Sequence, residues 1–248
     1  MTAWEDGDRT LHRRTDLQDR RDVRNATGWF DRVAEAFRTF GWDTIAENLR
    51  RYRSGTGEPK IYSRNEIERH APILMAEDRS RTRFETGTLF GRTDNQDLNK
   101  RVLEIADGQT ETIDDHWDAE FFPPAIKDYL WDMPSPINLL MNPGTYAAFG
   151  RGRIRSTASY KLNRSGNRII ADGDIVHTMG ERPADHTYDF NPGQPGHSAS
   201  RVAEAASKAA PFTFGYRHAE KNRTVIRINP DGSRVVERSV WWPDEQHQ

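Results

Sequence analysis

Cysteine is absent from the 248 residues, which excludes disulfides, thiolate zinc sites and cysteine nucleophiles together and leaves the chain indifferent to redox compartment. No apolar run reaches the roughly 20 residues that a membrane-spanning helix needs. The opening MTAWEDGDRT lacks the basic and apolar regions of a signal peptide. The expectation is a chain made in the producer cytoplasm without one, which another chain or machine must carry if it acts outside. An excess of charge is lacking as well, since 36 basic and 38 acidic residues leave a formal charge of −2. Nucleic acid is not expected as a partner on net charge, and any anionic group has to be met by a local patch. No repeat shows at solenoid periods. What is present, 35% hydrophobic and 30% charged residues, suits a polar globular protein long enough for one large domain or two small ones.

Residues 1–24 are rich in Arg and Asp and have little apolar periodicity, so they read as an exposed or disordered arm. From Phe30 the pattern turns helical, with Val33, Ala34, Phe37 and Phe40 at three- and four-residue steps before Gly41, and predicts a helix over about 27–40. Asp43 can cap a second helix on which Ile45, Leu49 and Tyr52 share a face, closed by the connector Ser54–Gly57. Ser63 and Glu66 form a capping box, and Pro72 interrupts or restarts the helix after it. Arg79, Arg81 and Arg83 read as a solvated face, with an anion-binding role as the alternative. Leu98, Val102 and Ile105 mark a short helix ending at Gly108. His116 with Asp114, Asp115 and Asp118 reads as a polar loop, with a metal cluster as the alternative. Pro123-Pro124 can open another helix, and Pro134–Pro136 cannot be helical, which makes it the expected domain boundary.

Beyond that boundary the period becomes two. Ile154, Ser156, Ala158, Tyr160 and Leu162 share one face of a predicted strand, and Arg153, Arg155, Thr157 and Lys161 the other. Residues 168–171 and 175–179 predict two short strands around an acidic Asp-Gly-Asp turn, and residues 199–210 a small helix. Phe212–Tyr216 predicts a further strand, and Asn229–Gly232 joins 224–228 to 234–242 as a hairpin. The fold expected is α+β: an arm over 1–24, a helical domain over 25–136, and a β-rich catalytic domain over 137–248 built on an antiparallel sheet or partial barrel with one packed helix.

The stretch with the most chemistry runs from Ala184 to His197, ADHTYDFNPGQPGH. Alternation puts Tyr188 and Phe190 on one face of a strand and Asp189 on the other. Asn-Pro-Gly and Gln-Pro-Gly then end the strand. An Asp there can accept a proton or hold a metal, and Asp189 and Asn191 can equally close Asx-turns. Tyr188 can donate to a ligand or pack in the core.

Tyr188-Asp189-Phe190-Asn191, with Asp185 before it and His197 after it, resembles the catalytic segment of the colicin M bacteriocins, Asp-x-Tyr-Asp-Phe-Asn followed by His-Arg. The resemblance implies an antibacterial toxin that hydrolyses the phosphoester between undecaprenol and the pyrophosphate of lipid II, blocks peptidoglycan synthesis and acts in the periplasm of a target bacterium. It also implies membrane contact only through the substrate, an immunity protein and a delivery machine as partners, and Mg²⁺ held by Asp189 and Asp185. His197 is then the general acid or base, with His177 and His186 as substitutes. Ser198 stands where that family has Arg, so Arg201 or Arg217 takes its place against phosphate. Two other classes stay open: a toxin of another chemistry such as a nuclease, and a non-catalytic binding module of a delivery system in which Trp117, Trp131, Trp241 and Trp242 are interface aromatics.

Overall fold

The computed structural model describes residues 3–92, 96–121, 142–150, 152–179, 186–188 and 196–244. Helices are concentrated in the first half and strands in the second, the expected α+β class. The chain divides into two compact units, one of residues 1–60 with 186–214 and one of residues 61–185 with 215–248. Each unit is thus made of two separate pieces of chain, and the Pro134–Pro136 stretch lies outside the described residues.

In the first unit α1 runs from Ala3 to Thr39, so residues 3–24 form helix where an irregular arm was expected. Proline is absent from α1 and Gly7 and Gly28 are its only glycines, so nothing stops a polar helix from extending. Phe30 and Ala34 are buried. Helix α2 spans Asp43–Ser54 and buries Ile45, Leu49 and Tyr52 as their spacing requires. Its cap is Trp42, with no side-chain bond, and Gly55 closes it at φ +71° with its N–H on the Tyr52 carbonyl.

In the second unit β1 (Lys60–Tyr62, beginning at the boundary of the units) leads into α3 (Arg64–Ile67), which has the predicted Ser63/Glu66 capping box. Helix α4 (Ala71–Arg83) restarts with Pro72 in its first turn and continues into a π-helical turn, Phe84–Leu89. Then come α5 (Gln96–Glu104), β2 (Thr110–Phe121), α6 (Pro143–Phe149), β3 (Gly152–Ser165) and β4 (Arg168–Met179). Strand β5 (His186–Tyr188) and α7 (His197–Ala205) belong to the first unit, β6 (Phe212–Ile228) begins there, and β7 (Arg234–Pro243) ends the fold. The sheet order among the described residues is β1-β6-β4-β3-β2, with β5 and β7 also paired to β6. The pairs β2–β3, β3–β4, β4–β6 and β6–β7 are antiparallel. The core centres on the inward row of β3, where Ala158, Tyr160 and Leu162 meet Phe84, Ile113, Ile175 and Ile226.

Three expectations change. Residues 168–179 are one strand, and Asp172-Gly173-Asp174 lies inside it. Tyr160 sits opposite Gly173 in the β3–β4 register, and a Cβ on Gly173 would lie 2.4 Å from the Tyr160 ring. Glycine is there to admit a ring, not to turn the chain. The residues 114–118 form part of β2, where His116 and Asp118 alternate with Asp115 and Trp117 across the two faces. No group of three or more His, Asp or Glu among the described residues could hold a metal. The arginines of α4 are not a solvated face: Arg79 donates to the Glu120 carbonyl, Arg83 lies 4.8 Å from the Trp117 ring centre, and Arg81 clamps Glu220. No helix among the described residues is long and apolar enough to cross a membrane.

Candidate functional site

Of the residues singled out in 184–197, Asp185 and Asp189 lie outside the described residues, with Asn191 and the turns after it. Tyr188 ends β5 opposite Phe212, stacked on its ring at 5.3 Å and edge-on to Tyr52 at 6.5 Å, and burial pushes its hydroxyl pKa up. Tyr52 in turn donates to Glu204, and Arg201 pairs with the same carboxylate at 2.9 Å. The Arg201 guanidinium is therefore already engaged within α7. His197 opens α7 after Gly196, whose φ of +90° and contact with the Trp29 ring leave no room for a Cβ. His186 pairs with Phe214 in the register of β5 and β6.

The densest polar arrangement lies in the second unit and is built on β6. From Tyr216 to Thr224 its inward row reads Tyr216, His218, Glu220, Asn222, Thr224, all buried. His177 on β4 lies opposite His218, and Ser156 on β3 opposite His177, so the register lines up three polar residues across the sheet. Helix α4 faces them with a buried stripe that includes Glu77 and Ser80 beside Ile73 and Ala76. Buried polar groups are costly unless paired, and nearly all of these are paired.

Two carboxylates organise the pairs. Glu77 has no exposed surface; it accepts from the Tyr216 hydroxyl at 2.6 Å and from Arg64, while His218 Nδ1 lies 3.7 Å away, beyond hydrogen-bond length but within reach of the charge. Burial works against ionisation of Glu77, but His218, His177, Tyr216 and Arg64 outweigh it and hold the carboxyl down to about 2. Arg64 also donates to Tyr216 at 3.0 Å, and these bonds outweigh its own burial, so it stays charged. Burial, reinforced by Glu77, pushes the Tyr216 hydroxyl up. Glu220 takes both prongs of Arg81 at 2.8 Å and shares a 2.7 Å bond with His177 Nε2. Burial opposes its ionisation too, and His177 and Arg81 hold it low. His177 Nδ1 is 2.7 Å from the Ser156 hydroxyl. Both residues have no exposed surface, so Ser156 is placed to orient the ring and is out of reach of a substrate.

The cluster opens to solvent on one side. A groove of about 390 Å³ runs along Ile61–Asn65 and Arg217–Ala219, and a second of about 450 Å³ is bounded by Arg64, Arg81, His218, Glu220 and Trp241–Pro243. Arg64, Asn65 and His218 line both. Nδ1 of His218 is buried toward Glu77, which leaves Nε2 as the ring nitrogen available to a ligand. A histidine backed by an ionised carboxylate can take up and return a proton, and a charged guanidinium beside it can meet an anion. His177 and Arg217, named from sequence as substitutes, both belong here, as does Arg81, one of three arginines with anion binding as an alternative; Arg64, Glu77, His218 and Glu220 were not singled out for chemistry. Two signals carried them, the polar row at every second position from 216 to 224 and Glu77 at helical spacing from Ile73 and Ser80.

The chain matches no protein-family model, no curated protein and no solved structure.

Proposed function

We propose that the chain is a phosphoester-cleaving enzyme with His218 as its general acid–base group. The observation that carries this is the position of His218, 3.7 Å from the ionised, fully buried Glu77 and lining both grooves with Arg64. The charge of Glu77 stabilises the imidazolium that forms as a proton is taken from water; the same proton is then available to the departing oxygen. Arg64, fixed by Glu77 and Tyr216, meets the phosphate charge, and Arg81 braces Glu220 beneath it. A cluster that merely fastened α3 and α4 to the sheet would not need its histidine at the junction of two grooves.

Lipid II is the proposed substrate, on the resemblance of Tyr188–Asn191 to the colicin M segment. The reading makes the chain an antibacterial toxin of the cell-wall pathway that acts on the periplasmic side of a target cell. Purified protein incubated with lipid II and Mg²⁺ should release undecaprenol and leave the pyrophosphate on the sugar. His218→Asn should lower the rate at least about 100-fold with little change in Tm. RNA and DNA belong in parallel tubes: intact lipid II with degraded nucleic acid would replace the substrate and keep the site, whereas inertness toward all three would overturn the enzyme reading.

A further inference from the structure

One chain of buried polar groups has no part in the acid–base step. It starts at Ser156 on β3, whose hydroxyl lies 2.7 Å from His177 Nδ1, passes through the imidazole of β4 to Glu220 Oε1 on β6, again at 2.7 Å, and ends at Arg81 on α4. Ser156 and His177 have no exposed surface and Glu220 has 4%, whereas the Arg81 side chain keeps 24% and lines the larger groove beside Arg64. Burying three polar side chains in a row is costly, and the group on which they converge is the one that reaches solvent. Glu220 grips Arg81 at Nε and Nη2, both at 2.8 Å, and Asp78 takes Nη1 at 2.5 Å. Three of its five N–H bonds are then used, and the other two have no partner among the described residues. Arg64 donates to Glu77 Oε2, and Arg81 Nη2 lies 3.9 Å from the same oxygen. Two guanidiniums therefore flank one carboxylate oxygen, and an anion seated between them can draw on both. The carboxylates at the rim, Glu68 and Asp78, are exposed, so water and salt screen them.

We infer that Arg81 is a second phosphate-binding residue beside Arg64, and that His177, seated by Ser156 and acting through Glu220, is the positioning residue that aims it. This rests on the phosphoester reading of the His218 site. The ligand is a phosphate group held between two guanidiniums, one fixed by Glu77 and Tyr216 and the other by Glu220 and Asp78.

The test is calorimetric titration of the full chain with inorganic phosphate, beside a thermal melt of every variant. Arg81→Lys keeps a charge against Glu220 and loses the fork. It should weaken phosphate about tenfold, the loss of one charge-assisted hydrogen bond. His177→Met, which cannot donate to Glu220, should weaken phosphate in the same direction, and His177→Gln, which keeps a donor, should retain most of the affinity. A role confined to fastening α4 would lower the Tm of His177→Met and leave its phosphate affinity as it was. Should His177→Met fail to fold, Ser156→Ala, which takes away only the hydroxyl that seats the ring, should weaken phosphate instead. Phosphate that binds Arg81→Lys as tightly as the unaltered chain overturns the clamp and leaves Arg64 as the anion site. Unchanged affinity in folded His177→Met or Ser156→Ala overturns the positioning role. No binding of phosphate by the unaltered chain removes the clamp and the phosphoester reading together.

Discussion

Glu77 is one of the buried groups on which the acid behaviour of the protein depends. An ordinary glutamate titrates near 4.5 and this one near 2. As pH falls below 4.5 the unfolded chain takes up a proton that the folded chain refuses, so the stabilisation, about 3 kcal/mol, is complete above 4.5 and is lost between 4.5 and 2. His70 acts earlier. Burial, then the charge of Arg69, lowers its pKa from 6.5 to about 4, so it stays neutral in the fold, and its contribution is complete above 6.5 and lost between 6.5 and 4. Urea melts across this range should therefore show an acid limb in two parts. His70→Asn, which can still bond Thr145, should remove the upper part, and Glu77→Gln should shrink the lower, to which Glu220 also contributes. The second variant should also be less stable at neutral pH by about 3–5 kcal/mol, because Arg64 loses its buried counter-charge. An acid limb that both variants leave unchanged would show that neither group is held as the geometry indicates.

At the scale of elements, α3 is a single turn whose value lies in aiming Arg64, its first residue. Ser63 accepts the Glu66 N–H, and Glu66 reaches back to the Ser63 N–H at 2.7 Å. Ser63→Ala should cost about 1 kcal/mol of stability and, by loosening Arg64, raise KM for a phosphoester more than it lowers kcat. Strand β4 depends on the contact of Gly173 with Tyr160; Gly173→Ala forces the ring or the strand to shift and should cost about 1–3 kcal/mol in denaturant melts. That glycine also shows where the sequence misleads. Asp-Gly-Asp has the composition of a turn, and only the Tyr160 ring across the strand pair, thirteen positions earlier in the chain, explains it. Helix α2, the capping box, the inward row of β3 and the 229–232 hairpin were legible because local pattern and tertiary environment agree. The site was hidden because α4 and β6 bury glutamate and histidine where a period-based reading looks for leucine and valine, so the pattern suggests no strand over residues 217–223 and gives Glu77 no role.

In the whole molecule, the groups proposed for phosphoester cleavage come from both sides of Pro134–Pro136 in the sequence: Arg64, Glu77 and Arg81 before it, His177, His218 and Glu220 after it. A fragment of residues 137–248 therefore lacks half of them, and its expression in the periplasm of a sensitive bacterium should leave cells intact under conditions where the full chain lyses them. Lysis by the fragment, abolished by Asp189→Asn, would move the chemistry to the 185–197 stretch. The polar row of β6 has one more effect. Between Tyr216 and Thr224 the inward residues are polar, and the outward ones include Arg217, Lys221 and Arg223. A strand with one oily side is held in register by its need to hide that side; this segment has no such side, so a slip by one residue would exchange one polar row for another. Charge matching therefore adds to the hold that buried Phe214 and Ile226 exert at the two ends of this row, since only the native alignment brings Glu220 to Arg81 and His177, and Tyr216 to Glu77 and Arg64. The ion pairs thus serve as a key that fixes alignment, and neutralising them as a set should yield misaligned strands and aggregation before it yields a merely weaker fold.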